Sequence, residues 1–164
     1  MTAAYDFDEQ FERGDAGAVV LDSVLRERYK LLILPVDRDW ERRGIDRVIL
    51  TPSGVVRSLE YKTDYTGART HNCFVEMVSV VEKNILGWAY TSHADMLVHY
   101  LPHPENLAYC IMFEDLREKL DDWIRDYEPK TIHTKRNDGM AYSSKGLAVP
   151  QDEFEAIADM VISL

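Results

Sequence analysis

Three side chains suited to metal-dependent hydrolysis lie close together in the sequence. Asp46 begins one apolar, strand-like run, and Glu60 and Lys62 lie near the end of the next run. Because residues two apart in a strand share a face, Glu60 and Lys62 project from the same side of the sheet. A turn between the runs can bring Asp46 to that surface. Two carboxylates at such a distance repel each other unless a cation lies between them, and a hard divalent cation is the natural partner.

Such a site has the groups that hydrolysis of a phosphodiester needs. Asp46, Glu60 and the main-chain carbonyl of Tyr61 offer oxygen ligands for Mg²⁺, for which Mn²⁺ can substitute. A Lys62 ammonium beside the metal can orient an attacking water or offset charge that develops on the phosphate. A lone Glu-x-Lys on a strand is more often a solvated ion pair, and that interpretation stays open at this point.

The elements that must position these residues are the two strands of a hairpin. Residues 45–50 are apolar and β-branched, and the Thr-Pro-Ser-Gly segment at 51–54 is a strong turn signal. Residues 55–62 then alternate between two faces, as a strand does. Two such runs joined by a turn predict a β-hairpin.

The rest of the pattern predicts an α/β domain with a mixed central β-sheet flanked by helices. The first helix is expected to be capped by Asp15 and to end near Arg28, and Pro35 marks a sheet edge or a strand end. Residues 63–72 and 131–145 are polar and are expected to form loops. The remaining predictions are strands over 31–36, 95–101, 109–113 and 147–150, and helices over 114–127 and 151–163. Residues 73–81 fit either a helix by spacing or a strand by β-branched content, and a strand is preferred.

Composition limits the class of protein. The chain has 164 residues, which predicts a single domain over 1–164, and its 19 Lys and Arg against 29 Asp and Glu give a net charge of −10. Two cysteines, Cys73 and Cys110, exclude a disulfide-dense secreted scaffold. No secretory signal and no apolar run of membrane-spanning length is present, so we expect no membrane partner and a cytoplasmic location.

The hairpin residues resemble the PD-(D/E)XK, or restriction-endonuclease-like, nuclease superfamily. Its pattern is an acid at the start of one strand and an (Asp/Glu)-x-Lys on the next, here Gly44-Ile45-Asp46-Arg47 and Leu59-Glu60-Tyr61-Lys62. Later segments are also similar to phage and bacterial members: Asn72–Glu76, Gly87-Trp88 through Ala94–Val98, and Leu147–Pro150. The resemblance spans roughly residues 10 to 160 and implies a restriction-endonuclease-like fold.

The resemblance implies a Mg²⁺-dependent nuclease, a hydrolase that cuts DNA. Asp46 and Glu60 would be metal ligands, Lys62 the catalytic lysine and Glu76 an accessory acid. Many members carry an acid on the first helix where Ala18 stands here, and Asp22, one turn on, could substitute for it. Without that acid, one metal is favoured over two. The family includes many dimers, which allows a homodimer, and a phage or mobile-element origin would place the protein in the host cytoplasm.

Basic residues that could contact DNA fall in two segments. Arg42, Arg43 and Arg47 surround Asp46, and Lys135 and Arg136 belong to a second basic stretch. The acidic excess lies elsewhere, which allows a basic face near the site with acidic helices behind it. The net charge of −10 also favours an alternative, a catalytically inactive nuclease-fold module that binds a partner protein or nucleic acid.

Overall fold

A computed structural model describes residues 5–135 and 141–164 of the chain. Two β-sheets and their helices form the fold. The described strands are β1 (Tyr5–Asp6), β2 (Leu32–Pro35), β3 (Arg47–Leu50), β4 (Val56–Thr63), β5 (Asn72–Val80), β6 (Ile85–Leu86), β7 (Met96–Leu101), β8 (Leu107–Met112), β9 (Lys130–Lys135), β10 (Ala141–Pro150) and β11 (Met160–Ser163). The described α-helices are α1 (Phe7–Glu27), α2 (Arg38–Glu41), α3 (Gly67–Thr70), α4 (Trp88–Thr91), α5 (Phe113–Asp126) and α6 (Gln151–Ile157).

A mixed six-stranded sheet in the order β11-β8-β7-β4-β3-β2 is the centre of the molecule. Strand β4 lies inside it, antiparallel to β3 and parallel to β7, so its backbone is paired on both sides. The β3–β4 register places Arg47 opposite Leu59, and the β4–β7 register places Glu60 opposite Leu97. A second, five-stranded sheet has the order β1-β9-β10-β5-β6.

Each face of the six-stranded sheet has its own apolar core. On one face, Leu21 and Leu25 of α1 pack on Ile49, Leu59 and other residues of the sheet. On the other face, Leu97 and Ile111 pack with helices α5 and α6 and with the five-stranded sheet. Side chains of β4 alternate between these faces, so Glu60 and Lys62 lie on the side of the second sheet and Tyr61 lies on the side of α1.

The structure confirms the predicted fold class, a mixed sheet flanked by helices, and the predicted hairpin, which is β3–β4. Pro35 ends β2, the edge strand of the sheet. The strand preferred for residues 73–81 is β5, and helix α5 lies where the sequence predicts a helix.

Four predictions of local structure were wrong. Within the segment 63–72, expected to be a loop, residues 67–70 form the short helix α3. Helix α1 begins at Phe7, so Asp15 lies inside it and cannot be its cap. The segment 131–145, expected to be a loop, contains most of strand β9 and the first part of β10, whose backbone groups pair with each other. The last helix ends at Ile157, and Met160–Ser163 forms β11 on β8, because the free edge of β8 offers a ladder for this apolar run.

Within the described residues, every helix is too short or too polar to cross a lipid bilayer.

Candidate active site

Glu60 and Lys62 form an ion pair on the inner face of β4. Lys62 Nζ lies 2.6 Å from Glu60 Oε1, and the Glu60 side chain is only 4% exposed. The second oxygen, Glu60 Oε2, is buried and has no hydrogen-bond partner in the described structure. A buried carboxylate oxygen without a partner is costly, because its hydration is lost without replacement. Among the described residues, this oxygen is therefore the strongest indication of a cation site.

Asp46 is held beside this pair by the backbone of β4. It directly precedes β3, and its main-chain N–H donates to Leu59 O at 2.8 Å. Its side-chain Oδ2 accepts the main-chain N–H of Tyr61 at 2.7 Å. The carboxylate thus takes the place of a backbone partner where the β3 ladder ends. This bond fixes the side chain and leaves Oδ1 as the oxygen available to a cation.

The electrostatics of the site centre on Lys62. Burial by itself would lower the pKa of Lys62, but Glu60, and then Asp46 and Glu76, outweigh burial and raise the pKa. Burial raises the pKa of Glu76, and the positive charge of Lys62 opposes that rise only in part. Lys62 is therefore a firmly protonated cation that interacts with three carboxyl groups.

The residues of the site fit a hard divalent cation that takes only a few of its ligands from the protein. The described side chains include no group of three or more His, Cys, Asp and Glu placed to hold a metal ion together. Asp46, Glu60 and the Tyr61 carbonyl would hold the ion with waters completing the shell, as Mg²⁺ prefers. The unpartnered Glu60 Oε2 supports this fit. Gly44 leaves room there, since an added Cβ would lie 2.8 Å from that oxygen.

The structure does not bring Asp22 close to Asp46, Glu60 and Lys62. Asp22 lies on α1, on the opposite face of the sheet from Glu60. Its carboxylate accepts from Arg47 Nε at 3.0 Å and from the Tyr61 hydroxyl at 3.0 Å. Burial, followed by the charge of Asp22, raises the pKa of the Tyr61 phenol. Asp22 and Arg47 together fix Tyr61, and the Asp22 oxygens are already used for that purpose.

The basic residues are placed unequally. Arg47 is half-buried, with its Nη1 donating to Asp46 O at 2.7 Å, so it supports the site from behind. Arg43 is exposed, and Arg42 is exposed and pairs with Asp39 at 3.2 Å. Lys135 is exposed at the end of β9. Arg136 lies outside the described residues.

Sequence reasoning missed a cavity of mixed polar and apolar lining that adjoins the site. The cavity, of 290 Å³, is bounded by Lys62 and Glu76 on one side and extends past Asp64 and His99. Asp64 Oδ1 accepts from Gly67 N at 2.6 Å, and His99 Nε2 lies 3.6 Å from Asp64 Oδ2. Burial would raise the pKa of Asp64, but His99 and two backbone N–H groups outweigh it and lower the pKa. The signal in the sequence is the spacing: Asp64 follows Lys62 by two residues, as Lys62 follows Glu60.

The chain is similar over part of its length to a bacterial homing endonuclease, I-Ssp6803I. The two share 18% identity with a TM-score of 0.43, and the match covers 65% of this chain and 70% of that one. No protein-family model matches the sequence, and no curated protein matches it. At this level of similarity, the function has to be argued from the chemistry of the site itself.

Proposed function

We propose that this protein is a Mg²⁺-dependent deoxyribonuclease of the PD-(D/E)XK type, in which Mn²⁺ can replace Mg²⁺. The observation that carries the proposal is the buried Glu60, with one oxygen on Lys62 and the other without a partner. A purely structural ion pair would have both carboxylate oxygens hydrogen-bonded or hydrated. Asp46, held against the same strand by the Tyr61 N–H, supplies the second carboxylate.

When bound, the metal supplies a water of lowered pKa and positive charge beside the phosphate. Asp46 and Glu60 would hold the ion in place. Without the ion, Glu60 first, and then Asp46 and Glu76, raise the pKa of Lys62 and keep it a cation at neutral pH. Its role is to orient the attacking water through a donated hydrogen bond and to offset charge on the phosphate oxygens.

We further propose a single metal ion per active site. A second ion would need an additional acid, and Asp22, the α1 residue expected to supply it, is engaged by Arg47 and Tyr61. Glu76 remains as an accessory acid. It faces Lys62 from β5, and its raised pKa favours the protonated form more than in an exposed glutamate.

The proposal is tested by metal titration and by cleavage on the same samples. Calorimetry with Mg²⁺ and Mn²⁺ would be run on the wild type, on Glu60→Gln and on Glu118→Gln, which alters an exposed glutamate of α5 as a matched control. Nicking of supercoiled plasmid would be followed in parallel. We expect metal uptake with a stoichiometry near one, and we expect uptake and nicking to be lost together in Glu60→Gln only.

A Lys62→Met variant separates binding from chemistry. It should still take up metal, while nicking falls by roughly 10²- to 10³-fold, the usual cost of removing one preorganised electrostatic contact. Absence of metal uptake by the wild type would overturn the proposal. Equal nicking by the wild type and by Glu60→Gln would point to a contaminating nuclease.

A second candidate is a catalytically inactive nuclease-fold module that binds a partner. Two observations favour it: the net charge of −10, and only two side-chain carboxylates at the candidate metal position in the described part of the chain. It predicts that wild type and Glu60→Gln behave alike in the metal titration. The same calorimetric series therefore discriminates between the two candidates.

A further inference from the structure

The 290 Å³ cavity beside the active site lies between the two sheets. Its walls come from the end of β4 on one side and from β5, β9 and β10 on the other. Lys62 and Glu76 belong both to the cavity and to the candidate active site, so the cavity borders the site at these two side chains. A ligand in the cavity would therefore lie next to a phosphodiester bound at Lys62. Its volume is at the lower end of the range for small-ligand sites, about 300–1,000 Å³.

The charges of the cavity disfavour a phosphate inside it. In the described part of the wall, Lys62 is the single ammonium or guanidinium, and it already pairs with Glu60. Asp64 and Glu76 add two carboxyl groups. The Asp64 oxygens accept the N–H groups of Gly67 and Phe74 and lie 3.6 Å from His99 Nε2, and these partners lower its pKa. An anionic group would meet repulsion there, whereas a neutral group with hydrogen-bond donors would find acceptors.

The remaining walls suit a flat, neutral ring. Phe74, Trp88 and Ile132 provide aromatic and apolar surface. On β10, alternation places Ser144 on the cavity side, while Ser143 on the other face hydrogen-bonds to His133 at 3.0 Å. A nucleobase has two apolar faces for stacking and a polar edge, and carboxylates accept hydrogen bonds from the exocyclic amino groups of bases.

We propose that this cavity binds one unpaired nucleobase of the DNA strand whose phosphodiester lies at Lys62. The base would stack against Phe74 and Trp88, with Ser144 at its polar edge. The substrate is then DNA with a single-stranded or extruded nucleotide at the cleavage point, since a base held in a continuous duplex cannot enter such a pocket. This inference rests on the proposed deoxyribonuclease function.

The test uses the full chain in EDTA, so that binding is measured without metal and without hydrolysis. The probe is a short single-stranded oligodeoxynucleotide with one 2-aminopurine, compared with the same strand in a blunt duplex. We expect quenching of 2-aminopurine on binding, and an affinity for the single strand roughly tenfold or more above that for the duplex, as base–aromatic stacking provides.

Two substitutions locate the binding to the cavity. Ser144→Leu fills the cavity and should weaken single-strand binding roughly tenfold, whereas Ser143→Leu on the opposite face of β10 serves as the matched control and should not. Phe74→Leu keeps the apolar volume but removes the stacking ring, so it should reduce both affinity and quenching. If thermal unfolding shows that Ser144→Leu is not folded, Phe74→Leu alone tests whether the probe binds in the cavity.

Equal affinity for single strand and duplex would overturn the inference, as would unchanged binding by a folded Ser144→Leu or by Phe74→Leu. These failures are distinct from failure of the proposed function. A protein that takes up metal and nicks DNA, but has a cavity without effect on binding, refutes the base pocket alone. A protein that binds the single-stranded probe through this cavity but takes up no metal refutes the nuclease proposal and leaves the pocket as a nucleic-acid binding site.

Discussion

Replacing Lys62 with methionine should destabilise the protein in a way that Mg²⁺ reverses. The substitution keeps the length of the side chain and its apolar contacts but removes the cation that lies 2.6 Å from Glu60 Oε1. Glu60 would then be a carboxylate only 4% exposed, with neither oxygen bound to a cation or a hydrogen-bond donor of the described residues. An uncompensated buried charge of this kind is among the few single changes with a large effect on folding.

The magnitude follows from burial. Removing one partner of a fully buried ion pair costs about 3–5 kcal/mol. Lys62 is 35% exposed, so solvent already screens part of its interaction, and we reduce the expected loss to about 2 kcal/mol. For a chain of this size, such a loss lowers the melting temperature by roughly 4–8 °C. The matched control is Lys119→Met, since Lys119 is 44% exposed and lies 3.9 Å from Asp122, and it should change stability by less than about 0.5 kcal/mol.

Thermal unfolding followed by circular dichroism, in EDTA and then in Mg²⁺, measures both effects. A cation at Asp46 and Glu60 should compensate for the missing ammonium, so Mg²⁺ should stabilise Lys62→Met more than the wild type, where the ion competes with Lys62. At about 100 times its dissociation constant, a ligand contributes about 2.7 kcal/mol, enough to offset the loss. If Lys62→Met matches Lys119→Met in EDTA, Glu60 does not depend on Lys62 and the reasoning fails. If Mg²⁺ stabilises wild type and variant equally, the ion does not bind at Glu60.

Three further changes probe the supports of the site. Gly44→Ala should abolish metal uptake in calorimetry and lower the free energy of unfolding in urea by about 1–2 kcal/mol, because Gly44 has φ +72 and an added Cβ would press on Glu60 Oε2. Unchanged metal uptake would contradict the assigned position of the ion. Asp22→Asn should lower the free energy of unfolding in urea by about 1–3 kcal/mol, because it weakens the hydrogen bonds from Arg47 and Tyr61. Its metal affinity should stay within about twofold of the wild type, and a large loss of affinity would show that Asp22 is a ligand. Asp64→Asn should flatten the acid limb of the curve of unfolding free energy against pH. The lowered folded-state pKa of Asp64 stabilises the wild type above the unfolded pKa of about 3.9, and this stabilisation is lost as the pH falls through the folded-state pKa. Equal acid limbs for the wild type and the variant in urea unfolding at a series of pH values would refute this prediction.

The hairpin and the placement of Asp46, Glu60 and Lys62 on it could be predicted from sequence because their signals are local. The turn at 51–54 fixes which strands pair, and the two-residue spacing of Glu60 and Lys62 fixes their common face. The position of Asp46 before the first strand is equally local. What the sequence could not provide is which elements cover this face of the sheet, because β5 and α4 come from later in the chain.

The missed strands show where local signals fail. In β9 and β10, the side chains on one face line the cavity, so Thr134 and Ser144 stand where a core strand would carry apolar residues. Their backbone pairing, not an apolar alternation, makes them strands. At the C-terminus, residues 160–163 fit either a helix or a strand by composition. The edge of β8 decides the outcome, and Asp159 precedes the new strand with its N–H bonded to Cys110 O at 2.9 Å.

The Glu60–Lys62 pair has a consequence for how the site can work. Before a cation arrives, Lys62 compensates one oxygen of Glu60, which makes a buried carboxylate compatible with folding. A divalent ion at the other oxygen adds positive charge beside the ammonium, and like charges at this distance repel. Besides Glu60, the carboxyl groups that raise the pKa of Lys62 are those of Asp46 and Glu76. Asp46 would hold the ion, whereas Glu76 lines the cavity, so Glu76 is the carboxyl group that could keep the Lys62 ammonium beside the space where a DNA strand is proposed to lie.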